Sequence, residues 1–439
     1  MTESYERIAD EAFLLTEELK SASGRGLSPR WLQIVATIWA GQAFSIVTSG
    51  AAGWAVIWHV TQTTQSALAL SLVMVCSLLP QGVLAPLGGA LADRVNRKTL
   101  IIAADLGAGT ASLALAAIIA GGETSLTLIC MFAAVRSAFS AFHSPAMMAA
   151  MPMLVPERHL LRINTLDQVL TSLANVCAPA IGIGLYSAFG LSFALVLEFG
   201  GAVAAVAAMM LVKIPTVREQ EKTSVLQQMA DGWQVLAAER GLVLLLGGLT
   251  VGLMAFASVS AVYPLMSTQY FGADGAMVSI AEAVSGLCML VGAGIIMVWG
   301  GGRRLALLLC ASAVLVALPT IAAGLLPRDA FWVYVALMGV ASVFMAWFNG
   351  PVMTLIQRYV PEEKTGRALG FFYAAIGIAM PAGVAIGGAL AESIGVAPFF
   401  VVSGALFAVI GLAGYAVGDV RALDRVARQG AAQVRGSRG

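Results

Sequence analysis

Residues 79–106 read LPQGVLAPLGGALADRVNRKTLIIAADL. An apolar, glycine-rich run stops abruptly at Asp93-Arg94, a turn at Val95-Asn96 leads to Arg97-Lys98, and apolar sequence resumes at once. Two apolar segments joined by so short and basic a turn read as two membrane-crossing helices with a hinge between them. Asp93 and Arg97 stand four residues apart, the spacing at which opposite charges meet on a helix. Gly88 and Gly89, just before the turn, let neighbouring helices approach closely.

Composition extends this reading to the whole chain. Of 439 residues, 59% are hydrophobic and 11% charged, with a mean hydropathy of +0.87. Soluble domains carry roughly 25% charged residues, so the chain is an integral membrane protein. Runs of about 20 apolar residues, each enough to cross a bilayer as a helix, recur at 31–58, 67–91, 99–120, 125–146, 165–188, 191–212, 242–266, 276–299, 304–326, 331–352, 367–390 and 397–417. The expected fold class is therefore all-α and integral to the membrane, with twelve transmembrane helices.

Charge supports the count. If the N-terminus is cytoplasmic, 23 of the 25 Lys and Arg fall in inside segments. Arg328 lies in an outer loop and Arg136 within a span. This asymmetry places both termini in the cytoplasm. The net charge of +1 gives no reason to expect a nucleic-acid partner. The five cysteines all fall inside expected spans, without metal-ligand spacing, and read as small core residues. The first thirty residues mix acids and bases without an apolar core, so no cleavable signal peptide is expected.

The two halves of the chain match. At an offset of 206, Arg97-Lys98 falls on Arg303-Arg304 and Pro145 on Pro351. At 205, Val155-Pro156-Glu157 falls on Val360-Pro361-Glu362, Arg162 on Arg367 and Gly190 on Gly395. Two six-helix repeats of parallel orientation follow. The expected organisation is a cytoplasmic amphipathic segment at 1–30, a first bundle at 31–212, a cytoplasmic linker with an amphipathic helix at 213–241, a second bundle at 242–418 and a basic tail at 419–439. At the position matching Asp93 the second half carries Trp299, which implies an asymmetric hinge.

The ordered string Gly89-x-Leu91-x-Asp93-Arg94-x-x-Arg97-Lys98 resembles the signature loop of the major facilitator superfamily of secondary transporters. Trp39-Ala40-Gly41-Gln42-Ala43-Phe44-Ser45, Leu79-Pro80-Gln81, Phe142-His143-Ser144-Pro145 and Gly232-Trp233 are similar to its bacterial macrolide-efflux and enterobactin-exporter branch. The likeness spans almost the whole chain and does not name a substrate. It implies a gate formed by Gly89, Asp93, Arg94, Arg97 and Lys98, with Asp93 facing Arg367 at the start of span eleven. Antiporters of the superfamily often carry Gly-Pro-x-x-Gly-Gly in the fifth span. Here Ala178-Pro179-Ala180-Ile181-Gly182 keeps only Pro179 and Gly182 of that pattern, so export is favoured without being settled.

Ionisable side chains inside a bilayer cost roughly 2.5–3.5 kcal/mol at mid-span, so each needs a reason. Arg136 lies eleven residues beyond Ser125, about 16 Å deep. It shares a helical face with Ser140, His143 and Ser144, and the superfamily resemblance links an arginine near this place to proton coupling. Glu198 is read as a partner of Arg136 and a candidate proton site, and Glu282 as a coupling or substrate acid. Asp105 and Asp167, close to cytoplasmic ends, are expected to serve as gate or capping acids. Gln42, Ser45, Ser49, Ser140 and Asn349 are the candidate substrate-binding residues, although an ordinary packing face explains the first span's polar residues almost as well.

The reading that follows is a proton antiporter exporting hydrophobic or amphipathic, drug-like or macrolide-like small molecules by alternating access. It needs a proton gradient and no cofactor or metal, works within the lipid bilayer of the bacterial inner membrane, and is expected to be a monomer. A siderophore or lipid-like cargo, an uptake symporter and a transport-inactive membrane sensor stay open. No P-loop, HExxH or nucleophile elbow is present, so an enzyme is not expected.

Overall fold

The computed structural model describes residues 31–92, 94–212, 225–302 and 304–425. Asp93, Arg303, the N-terminal amphipathic segment and most of the basic tail lie outside the described residues. In chain order the helices are α1 (Trp31–Thr64), α2 (Ala67–Ala92), α3 (Arg97–Ala120), α4 (Leu126–Leu154), α5 (Glu157–Met210), α6 (Val225–Ala237), α7 (Arg240–Leu265), α8 (Gly275–Trp299), α9 (Leu305–Gly324), α10 (Phe331–Asn349), α11 (Val352–Tyr359), α12 (Glu362–Ile394) and α13 (Val396–Ala416). No strand is present among the described residues. Among the described residues, eleven helical segments are long and apolar enough to cross a membrane.

One of these is too long for a single crossing. α5 has 54 residues, about 81 Å of helix against a hydrocarbon core of about 30 Å. It breaks at Gly190, whose φ of 81° and ψ of 173° are outside helical space and closed to ordinary L-residues. Each side of Gly190 is long enough for one crossing, and the kink lies where the sequence led to a division between residues 188 and 191. Elsewhere the apolar runs end where polar caps meet the first amides. Asn96 accepts from the Lys98 and Thr99 N–H groups of α3, Ser125 from Leu128 of α4, and Asp274 from Met277 of α8. α4 extends past the expected residue 146 to Leu154 through two prolines, Pro145 and Pro152. Its counterpart is interrupted at Gly350-Pro351 between α10 and α11.

Residues matched by the offset adopt the same conformation. Pro156 (φ −58°, ψ 141°) opens α5, and Pro361 (φ −55°, ψ 142°) opens α12. Before them, the Val155 N–H reaches the Met151 carbonyl at 3.1 Å and the Val360 N–H reaches Ile356 at 2.9 Å. Gly395 (φ 87°, ψ 157°) repeats the Gly190 junction between α12 and α13.

Helices α1–α5 pack on one another, as do α7–α13, while α6 lies against α12. Between the two groups α2 runs along α12, and α5 along α8. The ends at residues 92–97 and 299–305 are called the basic end here, and the ends at 64–67 and 270–275 the far end. At the far end a single apolar cluster crosses between the groups, joining Trp58, Leu70 and Ile183 to Val262, Val278 and Phe399. At the basic end the cores are separate: Ile38, Ile101, Ala150 and Met209 on one side, Leu249, Leu309, Phe348 and Ile356 on the other. The molecule is thus closed at the far end and divided at the basic end.

Polar contacts reinforce the far-end closure. Glu392 of α12 accepts from the Ser66 hydroxyl (3.1 Å) and the Leu68 N–H (3.2 Å), so it caps α2 from the other bundle. Gln269 donates to the Gln65 carbonyl at 3.2 Å. Glu392→Ala is expected to lower stability by about 0.5–2 kcal/mol, the usual effect of losing a cap, read as a drop in melting temperature of the purified protein. Asp424, just beyond α13, accepts from the Ala306 (3.2 Å) and Leu307 (3.0 Å) amides and caps α9. Burial pushes its carboxyl above the ordinary value, and the two amide donors hold it back.

Candidate functional site

In the first bundle, Arg136 of α4 donates to Glu198 of α5 at 2.8 Å. The other Glu198 oxygen accepts from the Ser112 hydroxyl of α3 at 2.8 Å, and Arg136 also reaches the Ser49 carbonyl of α1 at 3.4 Å. Glu198 is 3% exposed, so this charge depends on its two donors. The pair forms part of the wall of a cavity of about 140 Å³, whose apolar sides include Val56, Met74, Leu115 and Phe132.

Seven residues along α4, or two turns and about 10 Å nearer the basic end, His143 sets Nε2 3.3 Å from Asp105 Oδ1 of α3. Gln42 of α1 donates to the other Asp105 oxygen at 3.4 Å. Asp105 lies eight residues inside α3, in a cluster formed by three helices. Its depth is readable from sequence, and His143 stands out in the polar stripe of α4. Their pairing depends on how α3 and α4 are rotated against each other, which a single sequence does not record.

The second bundle holds Glu282 on α8, with Ser285 one turn on. Tyr263 of α7 and Tyr334 of α10 stand within electrostatic reach of the carboxylate, their ring centroids 5.2 Å apart. The hydroxyls of Tyr263, Tyr334 and Ser285 are buried without a hydrogen-bond partner of good geometry. Glu282 has no ion-pair partner among the described residues, unlike Glu198.

The hinge residues hold helix ends together. Lys98 donates to the Met210 and Val212 carbonyls at 3.0 and 2.6 Å, placing a cation at the C-terminus of α5. Arg97 donates to the Ala149 carbonyl of α4 at 2.9 Å and to Ala92 at 3.3 Å. Arg94 is exposed and Gly89 half-buried. Arg367 pairs at 3.0 Å with Asp231 of α6, a partner that sequence reasoning did not find because the linker helix packs on α12 across a long stretch of chain. The expected contact of Arg367 with Asp93 lies outside the described residues. In the second half, the Trp299 ring lies 5.9 Å from that of Trp347.

The candidate substrate residues fall in two places. Gln42 engages Asp105, Ser49 offers its carbonyl to Arg136, and the Ser140 hydroxyl bonds back to the Arg136 carbonyl at 3.1 Å. Ser45 packs near Gly201 of α5. All four belong to the first bundle, whereas Asn349 is exposed at the end of α10 in the second.

The sequence profile of the Major Facilitator Superfamily matches residues 38–301 and 244–435. The chain belongs to the Major Facilitator Superfamily. Macrolide efflux protein A of Streptococcus pyogenes is 30% identical over 391 residues, covering 88% of this chain and 96% of that protein. The enterobactin exporter EntS of Escherichia coli O1:K1 / APEC is 27% identical over 356 residues, covering 77% and 82%. Among solved structures, a bacterial homologue of the iron transporter ferroportin in an inward-facing state has a TM-score of 0.69 at 12% identity, covering 88% of this chain and 98% of that one. A bacterial homologue of the human lysosomal transporter Spinster, inward-facing and unoccupied, has a TM-score of 0.66 at 13% identity, covering 92% and 98%. These two show a likeness of fold. As a member of the superfamily the protein is a multi-pass membrane transporter of small molecules and not an enzyme.

Proposed function

We propose that this superfamily member exports hydrophobic or amphipathic small molecules of the macrolide kind from the bacterial cytoplasm, in exchange for protons. The observation that carries this is the 30% identity to a macrolide efflux protein along 88% of the chain. The positive-inside distribution supports a cytoplasmic basic end and cytoplasmic termini, which would turn the divided end towards the compartment from which cargo is taken. Rocking of the bundles about the far-end contacts would then expose the site alternately to either side.

In this reading Glu282, Glu198 and Arg136 couple transport to protons. A proton bound at Glu282 neutralises a carboxylate that has no ion-pair partner among the described residues, and a proton at Glu198 releases Arg136. Either event favours one arrangement only if the proton binds more tightly in that arrangement, and a few kcal/mol of preference is enough. Gln42, Ser45, Ser49, Ser140 and Asn349 would contribute to cargo contact, and Gly89, Asp93, Arg94, Arg97, Lys98 and Arg367 to the gate. The energy source is the proton gradient, without a cofactor, and one chain suffices. The 27% identity to an enterobactin exporter favours a siderophore as the second cargo to test.

The test is drug accumulation in cells expressing wild type, Asp93→Asn or Glu282→Gln, with and without a protonophore. Accumulation of a macrolide or dye is expected to fall several-fold with wild type, and this effect to vanish with either substitution or the protonophore. Unchanged accumulation across a broad panel that includes a siderophore would overturn the export reading.

A further inference from the structure

We infer that Asp105 and His143 form a proton-exchanging pair inside the first bundle, the station nearer the basic end of a polar track that begins at Arg136 and Glu198. The inference deepens the proton-driven reading above and rests on it for its place in transport.

Three observations carry it. First, the pair has the right chemistry. Arginine holds its proton at any physiological pH, so Arg136–Glu198 cannot pass a proton through its cation. Imidazole can gain and lose one near neutrality. His143 is the cation-forming member of a histidine–carboxylate pair, with Asp105.

Second, the pair is held for exchange. Gln42 engages Asp105 Oδ2, which leaves Oδ1 facing His143. His143 Nε2 is buried and has no hydrogen bond of good geometry, although it stands 3.3 Å from that oxygen. The nitrogen is thus committed to no other acceptor. Asp105 is 11% and His143 23% exposed, so the pair is shielded from lipid and bulk solvent without being sealed.

Third, among the described residues His143 is the charged group that stands beside Asp105. At this level α5 meets α1 and α3 through Ala202, Ala204, Ala205 and Ala208, and α2 meets α4 at Ala141 and Phe142. Towards the far end, Arg136 is already bonded to Glu198. Towards the basic end, Arg97 is bonded at Ala149, six residues or about 9 Å beyond His143. The Ser140 hydroxyl lies between the two pairs on the same helix face.

In the exchange a proton taken from water at one face of the membrane bonds to His143 Nε2, giving an imidazolium beside the Asp105 carboxylate. The N–H bond then breaks and the proton passes to water at the other face. No electrons move and neither residue is consumed.

The first test needs no cargo. Purified wild type, His143→Gln, Asp105→Asn and the double variant are titrated from pH 8 to pH 5.5, and proton uptake is counted with an indicator dye. Each single variant is expected to bind about one proton fewer than wild type, and the double variant no fewer than the singles. The double variant keeps hydrogen-bonding side chains at both positions, and a melting curve checks that it is folded. Uptake equal to wild type in the folded double variant overturns the inference. The second test is concentrative uptake of labelled erythromycin by inside-out vesicles, where each variant is expected to lose at least tenfold. Wild-type vesicles that ignore erythromycin count against the export reading and leave the proton count standing, so the two failures are distinguishable.

Discussion

Replacing Arg136 with leucine is expected to destabilise the folded protein by about 3–5 kcal/mol, the usual result of stranding one member of a buried ion pair. Glu198 would keep only the Ser112 hydroxyl while remaining 3% exposed. The stranded charge matters more than the lost attraction. Replacing both residues, as Arg136→Leu with Glu198→Met, is therefore expected to restore most of the stability, because an apolar pair of similar volume carries no desolvation cost. Melting of the four purified proteins gives the coupling directly, and the single losses should be far from additive. Transport separates structure from mechanism. A double variant that is folded and silent places the pair in coupling, whereas one that is folded and active makes it only a brace. Arg136→Leu as stable as wild type would mean that Glu198 is protonated or hydrated without its cation.

The second large effect is expected at the crossing of α2 and α12. A Cβ built at Gly82 would run into the Gly377 backbone carbonyl, which cannot swing away as a side chain does. Gly82→Leu is thus expected to cost about 1–3 kcal/mol or more through overpacking, and to abolish transport by forcing the bundles apart. Gly377→Ala, whose Cβ would stand 3.1 Å from the Gly82 Cα, should be milder. Spin labels at Thr64 and Ser393, both exposed at the far end, report the separation. A longer and broader distance distribution in Gly82→Leu is the expected outcome. An unchanged distance with full transport would show that the contact is not needed for closure.

The parts of this fold legible in the sequence are those set by length and depth. Hydrophobic runs mark the spans because each must cross the same thickness of lipid. Arg136 and Glu198 stand out as buried charges because eleven and seven uncharged, mostly apolar residues precede them in their spans. The matched Val-Pro-Glu triplets mark two helix starts because proline fixes φ and removes an N–H at the one place where a helix can spare it.

Rotation about each helix axis was not legible. It decides that Asp105 meets His143, that Glu392 caps α2, and that Arg367 turns to Asp231, and each partner lies on another element. The same limit applies to Ser45 and Ser49, whose helical spacing fits a cavity wall as well as the packed face where they stand.

The far-end connections have a consequence for anything that would recognise this protein from that side. Two residues join α1 to α2, five join α3 to α4, four follow Tyr270 before α8, six join α9 to α10, and Gly190 and Gly395 turn their chains with no loop at all. With the far end outward, an antibody, phage or protease would meet an almost bare face with little backbone to grip. A blocking agent for this protein would have to be small enough to enter between helices, or lipophilic enough to arrive through the bilayer.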